Sequence, residues 1–182
     1  EVISLDRTVG TTQVSVAMQY TTNVREEALS FVNCIATIEG GTHVTGFRGA
    51  LTRALNDYAR KQKLIKDDQS NFAGEDVREG LTSVISVKIV DPQFEGQTKG
   101  KLGNSEVKPI VESIVAETLT IYLEDHPSEA RKIIERCSLS LKAREAARKA
   151  RELVIRKNAL DGTGLPGKLA DCSEKDPEVS EI

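Results

Sequence analysis

A chain of 182 residues can bury one hydrophobic core with room for an extended appendage, so one compact domain is the starting expectation. Aromatics make up only 4% and Trp is absent, which leaves the core to Val, Ile, Leu and Ala and favours layered α/β or α+β packing over a sandwich. A net charge of −3 excludes a global pull toward nucleic acid, and no apolar run approaches the ~20 residues of a membrane-spanning helix.

In chain order, Val2, Ile3 and Leu5 precede a Gly10-Thr11-Thr12 turn, and Val14, Val16, Met18 and Tyr20 then alternate with polar or small residues. Period two is the mark of a half-buried strand, so the first twenty residues read as a hairpin. Residues 26–38 stay ambiguous: Leu29, Phe31 and Ile35 suit a strand, whereas Ala28, Val32 and Ile35 suit a helix. Beyond Gly40-Gly41, Val44, Phe47, Leu51, Ala54, Leu55 and Tyr58 fall at helical spacing to about Lys61, with Thr42 as the expected N-cap. Residues 63–78 are polar and broken by Gly74, which reads as a mobile loop.

The Val/Ile run from Leu81 to Val90 reads as a well-buried strand ending at Asp91-Pro92. A loop carrying three glycines and two lysines follows, from Phe94 to Gly103. The next helix carries Ile110, Val111, Ile114, Val115, Leu119 and Tyr122, with Pro109 in its first turn, and stops at Asp125-His126-Pro127. No Gly or Pro interrupts residues 128–157, so a last helix of about 45 Å is expected at ~1.5 Å per residue. Its first half has an apolar face of Ala130, Ile133, Ile134, Cys137 and Leu141. Its second half carries Lys142, Arg144, Arg148, Lys149, Arg151, Arg156 and Lys157 against only Glu145 and Glu152, a basic stripe inside an acidic chain.

Most of the chemistry-bearing residues point to nothing catalytic. Cys34, Cys137 and Cys172 lack metal spacing and read as free thiols of a reducing compartment, the cytoplasm. His43 and His126 lie beside helix-start signals, and Glu75, Asp76 and Glu79 read as loop charge more readily than as a metal site. There is no Walker, Rossmann or nucleophile-elbow pattern. The exception is the glycine-bearing loop, where Gln97 and Lys99 are two residues apart. If extended, it could aim an amide and an ammonium at the same phosphate oxygens; a plain basic turn is the alternative.

Four ordered motifs then carry a resemblance. They are residues 39–48 (EGGTHVTGFR), 75–81 (EDVREGL), 91–99 (DPQFEGQTK) and 165–172 (LPGKLADC). Together they resemble the gyrase B family of bacterial type IIA DNA topoisomerases, with the B-type subunit of topoisomerase IV as runner-up. A free-standing nucleic-acid-binding module is a more distant reading, resting on the basic helix alone.

The resemblance implies a transducer domain, placed between an ATP-binding domain and a metal-binding Toprim domain. Its implied fold is α+β, a two-layer α/β sandwich ordered β-β-β-α-β-α like a ribosomal-protein second domain, then a long helix. The implied crossover is left-handed, against the usual rule, and the ambiguous residues 26–38 become a strand. The implied domains are a core over residues 1–126, a long helix over 127–158 and a linker over 159–182. Gln97 and Lys99 are implied to contact the γ-phosphate of ATP, and Lys142, Arg144, Arg148, Lys149, Arg151, Arg156 and Lys157 are candidates for DNA contact. For the full-length enzyme, ATP and Mg2+, the gyrase A protein in an A2B2 assembly, and DNA are implied. The 182-residue chain, which starts in strand sequence without Met and stops without a closing helix, reads as a piece that is inert and monomeric alone, with no bound cofactor or metal.

Overall fold

The computed structural model describes residues 2–65 and 69–162, with side chains described as far as Val154. The chain divides into two compact units, Glu1–Lys142 and Ala143–Ile182.

The first unit is built on a five-stranded sheet. Strands β1 (Ile3–Val9) and β2 (Thr12–Tyr20) form the expected hairpin, pairing Ile3 with Met18 and Val9 with Thr12 across the Gly10-Thr11 turn. Strand β3 (Glu27–Val32) turns through Asn33-Cys34 into β4 (Ile35–Ala36). Both turn residues have positive φ, 49° and 65°, the conformation that matches the twist of a two-residue hairpin. Asn33 secures this turn with its side chain, accepting from the Ile89 N–H at 2.9 Å and donating to the Ile89 carbonyl at 2.8 Å.

After β5 (Gly40–Gly41) comes helix α1 (Thr42–Lys61), then the short α2 (Gly74–Arg78) and β6 (Leu81–Lys88). The sheet order is β1-β2-β6-β3-β4, with β6 antiparallel to β2 and parallel to β3. Two-residue strands β7 (Phe94–Glu95) and β8 (Lys101–Leu102) join β5 in a small second sheet ordered β5-β8-β7. Helices α3 (Val107–Asp125) and α4 (Pro127–Gly162) follow. Taken by its larger elements, the order is β-β-β-α-β-α followed by a long helix.

Val14, Val16 and Met18 of β2 and Leu81, Ile85 and Val87 of β6 fill the inner face of the sheet, under α1 and α3. Phe47, Leu51 and Leu55 of α1 and Val111, Val115 and Leu119 of α3 close the core from the other side. Gly46 lets the two helices approach, since a Cβ there would lie 2.5 Å from the Lys108 carbonyl oxygen. The first half of α4 adds Ala130, Ile134, Cys137 and Leu141, as its apolar face predicts.

Three expectations are corrected. The run from Leu81 buries only one face, because Val84 is 38% exposed and Lys88 lies outward; an apolar residue at an outward position hides the alternation. Thr42 is the first helical residue of α1 rather than its cap, a position held by Gly41 at φ 138° with no side-chain cap bond. The expected loop over residues 63–78 is not plain loop in its described part from 69 on, for Gly74 opens α2 instead of breaking the chain. Polar tethers with no sequence period hold this segment. Asn56 bonds both backbone groups of Phe72, at 2.8 and 3.1 Å, and buried Asp76 accepts the Ala73 N–H at 2.8 Å.

Two polar clusters fasten the elements. The Glu26 carboxylate accepts from Arg48 of α1 at 2.9 Å and from Arg78 of α2 at 3.0 Å. Arg136 of α4 donates to the carbonyls of Glu79, at 3.2 Å, and Asn23, while Ser140 donates to the Glu79 carboxylate at 2.6 Å. Beside them Cys137 is buried, and that burial pushes its thiol up to about 12, far from thiolate chemistry.

In the second unit α4 continues as helix to Gly162. Most of the expected linker, together with Cys172 and the Leu165–Cys172 motif, lies outside the described residues.

Candidate functional site: the loop between β7 and β8

The glycine-bearing loop forms a hairpin with a fixed stem and an exposed tip. Phe94 pairs with Leu102 and Glu95 with Lys101, leaving residues 96–100 as the tip. On its far side β8 pairs in parallel with β5, Gly40 with Lys101 and Gly41 with Leu102. Gly41 cannot be replaced without strain: it sits at φ 138°, and a Cβ would lie 2.5 Å from the Leu102 backbone nitrogen and oxygen. Leu102 is fully buried, which anchors the stem in the core. The Glu39 N–H donates to the Gly100 carbonyl at 2.9 Å, and the Gly103 N–H closes the other end on the Gln93 carbonyl at 2.7 Å.

Asn104, buried, completes the base. Its side chain accepts the Gln93 N–H at 2.6 Å and donates to the Asp91 carbonyl at 3.1 Å and the Glu106 carboxylate at 2.7 Å. That bond from Asn104 holds the Glu106 carboxyl below its usual range. Sequence reading missed Asn104, because an amide that binds backbone groups leaves no period and no motif.

The tip itself is bent, not extended. Gly96 stands at φ 78° and Lys99 at φ 53°, so the backbone bends on both sides of Gln97 and Thr98. Gln97, Thr98 and Lys99 are all exposed. A lysine in the left-handed region is uncommon and costs on the order of 1 kcal/mol or more, a cost that tends to collect at functional positions.

Charge separates Lys99 from its neighbours. Beside the stem a groove of about 320 Å³ is lined by Ser30, Glu39, Gly41, Thr45, Arg48 and Lys101, among others. Both of its cations are paired, Arg48 with Glu26 at 2.9 Å and Lys101 with Glu95 at 2.7 Å. The Glu95 hydrogen bond and charge raise the Lys101 pKa above its ordinary value. Lys99 has no carboxylate partner among the described residues, so its charge is available to an anion that arrives from outside. Chemically, the tip can offer one full positive charge and one neutral amide donor to phosphate oxygens.

The other candidates fall apart. Glu75, Asp76 and Glu79 do not converge: Asp76 is turned to the Ala73 backbone and Glu79 to Ser140, and no group of metal-ligating side chains occurs among the described residues. His126 stacks on Tyr122 with ring centroids 4.4 Å apart. On α4, Lys142, Arg148, Lys149 and Arg151 are exposed, Arg144 is half-buried, and Arg148 lies 3.6 Å from Glu152. At about 100° per residue, Arg144, Arg148 and Arg151 share one side of the helix while Lys149 lies off that side. The side chains of Arg156 and Lys157 lie outside the described residues.

Comparison with known proteins agrees over most of the chain. A family model described as DNA gyrase B matches residues 1–153. The DNA gyrase B subunit of Cytophaga aurantiaca is 57% identical over 173 residues, covering 95% of this chain and 36% of that protein. That of Clostridium acetobutylicum is 54% identical over 169 residues, 93% of this chain and 26% of the relative. The chain therefore spans about a third of the length of these relatives or less. Among solved structures, the 43K ATPase domain of Thermus thermophilus gyrase B, crystallised with an aminocoumarin, superposes with a TM-score of 0.78 at 42% identity, over 84% of this chain and 41% of that one. The topoisomerase IV ATP-binding domain of Francisella tularensis, in complex with a small-molecule inhibitor, follows at 0.73 and 34%, over 79% and 40%. With a family model over more than four-fifths of its length and relatives above half identity, the chain belongs to the DNA gyrase B family.

Proposed function

We propose that this chain is the transducer of a gyrase B protein, the part that couples ATP binding and hydrolysis to DNA strand passage and negative supercoiling. The single observation that carries the reading is Lys99, without a carboxylate partner among the described residues and held with positive φ on a tip whose stem is fastened from both sides. In this reading Gln97 and Lys99 reach the terminal phosphate of an ATP held mainly by another domain. The ammonium offsets negative charge on the γ-phosphoryl oxygens and the amide orients them, the part that positioned donors play in phosphoryl transfer. When the γ-phosphate leaves, the tip loses its partner, so the same contact reports the nucleotide state to the sheet behind it.

The parallel β3–β6 connection through α1 is, in this reading, the family's left-handed crossover. The wider assembly is an A2B2 enzyme in the cytoplasm, formed with the gyrase A protein, with Mg2+ accompanying ATP and DNA as substrate. The cationic half of α4 borders the path of the DNA. In this reading the chain by itself supplies only part of the ATP site. Topoisomerase IV remains the second reading, favoured by the likeness to the Francisella tularensis domain. Supercoiling by the complete enzyme separates the two, since the gyrase reading requires it.

The test is Lys99→Ala in the complete B protein. ATP turnover falls about a hundredfold, an effect on the order of 3 kcal/mol in the transition state. Supercoiling falls with it, and ATP-independent relaxation survives. Near-normal turnover would overturn the assignment of Lys99.

A further inference from the structure

The loop tip is exposed, so something behind it must fix where Lys99 stands. Its stem leans on residues 37–43. Between that arc and β3 lies a buried chain of three polar side chains that the proposed phosphate contact does not use. Ser30, Thr37 and His43 are 8%, 2% and 0% exposed. The Ser30 and Thr37 hydroxyls are 2.7 Å apart, and Thr37 Oγ1 lies 3.2 Å from His43 Nε2. The backbone is drawn into the same knot: the Thr37 N–H donates to the Ser30 carbonyl at 2.8 Å and the Gly40 N–H to the Thr37 carbonyl at 3.0 Å. One residue away, the Glu39 N–H holds the Gly100 carbonyl, and Gly40 and Gly41 pair with Lys101 and Leu102.

Counting hydrogens sets the state of the imidazole. The single Ser30 hydroxyl hydrogen points to the Thr37 carbonyl at 2.8 Å. Thr37 Oγ1 must therefore donate to Ser30 Oγ, and towards His43 it can only accept. His43 is then protonated on Nε2. Its buried Nδ1, which has no partner, carries a lone pair rather than a hydrogen, the less costly atom to leave unmet. Burial favours the neutral ring as well, lowering the pKa to about 4.

We propose that His43, as the neutral Nε2–H tautomer, is a positioning residue for the Gln97–Lys99 tip: it locks Thr37, and the locked 37–41 arc holds the loop stem at Gly100 and β8. This rests on the phosphate-sensing reading of Lys99, and a double-mutant cycle in the complete B protein keeps the two claims apart. His43→Phe keeps a ring and removes the donor; His43→Gln restores an N–H. ATP turnover should fall about tenfold in H43F and recover most of that loss in H43Q. On a Lys99→Ala background, H43F should cost less than twofold, because the charge it positions is gone and only the neutral Gln97 amide remains. A tenfold loss in both backgrounds, or no loss in either, overturns the positioning role while leaving Lys99 in place. A normal K99A enzyme overturns the underlying reading instead. Should H43F fail to fold, the ¹⁵N shifts of His43 in the 182-residue chain at pH 7 still decide: an Nδ1–H tautomer or an imidazolium refutes the proposal.

Discussion

At the scale of single residues, the proposed role of the loop predicts that stability and function separate there. Lys99 touches solvent and carries no ion pair among the described residues, so Lys99→Ala should shift folding by no more than about 0.5 kcal/mol while removing most ATP turnover from the complete protein. Lys99→Arg should rescue only in part, since a broad planar fork replaces a compact charge on a bent backbone. Gly41→Ala is the reverse case. With a Cβ forced to 2.5 Å from the Leu102 backbone and an unfavourable φ, it should cost on the order of 2–3 kcal/mol in a urea titration. His43 supplies a pH signature. Its folded pKa, about 4, lies below the 6.5 of the unfolded chain, so the unfolded state binds the extra proton and stability falls as pH drops from about 6.5 toward 4. The loss is bounded at roughly 3 kcal/mol. Urea midpoints of wild type and H43Q should converge across that window, and parallel curves would refute the effect. Gln97 and Lys99 were legible as residue types and as a motif. The positive φ of Lys99 and the bonds of Asn104 were not, because neither conformation nor side-chain-to-backbone bonding leaves a spacing to read.

At the scale of elements, legibility follows the burial pattern. Strand β2 and helices α1 and α3 announce themselves because apolar residues fall on one face and polar ones on the other. Strand β3 does not. Its inward residues are Ser30 and Val32, whereas Leu29, 61% exposed, faces out, so its apolar residues stand on the wrong side for a pattern argument. Only the family resemblance made residues 26–38 a strand, and the structure corrects that to two, β3 and β4, folded about the Asn33-Cys34 turn. For α4 the element-level question is charge. Arg144, Arg148 and Arg151 lie along one side and Lys142 and Lys149 along another, with Glu145 and Glu152 between, so the cations form two rows instead of a single line. Replacing Arg148, Lys149 and Arg151 by Glu in the complete protein should weaken DNA-stimulated ATP turnover more than basal turnover, and the salt dependence of DNA binding should flatten. Equal loss of both activities would indicate a folding defect and count against a DNA role.

At the scale of the molecule, the proposed function predicts that the chain is inert when alone. In the proposed reading the tip is only one wall of a phosphate site held mainly by another domain. Calorimetry should therefore detect no micromolar ATP binding by the 182-residue chain, and sedimentation at low micromolar concentration should find a monomer. Tight ATP binding or a stable dimer would each refute the corresponding expectation. The layered α/β architecture was foreseeable from composition and from the strand and helix periods. How the small β5-β8-β7 sheet ties the loop to the start of α1 was not, since two-residue strands carry no period at all.

The contrast between the bolted stem and the free tip has a consequence for protease footprinting. Trypsin cuts after lysine at exposed loop tips, and it must peel several residues away from the surface to do so. Lys99 meets that demand on its N-terminal side, but Lys101, only two residues on, is zipped between β5 and β7 and should resist. Brief digestion of the complete protein should nick the chain after Lys99 and spare Lys101. A non-hydrolysable ATP analogue should suppress the nick if its γ-phosphate occupies the ammonium, whereas ADP should leave the nick in place.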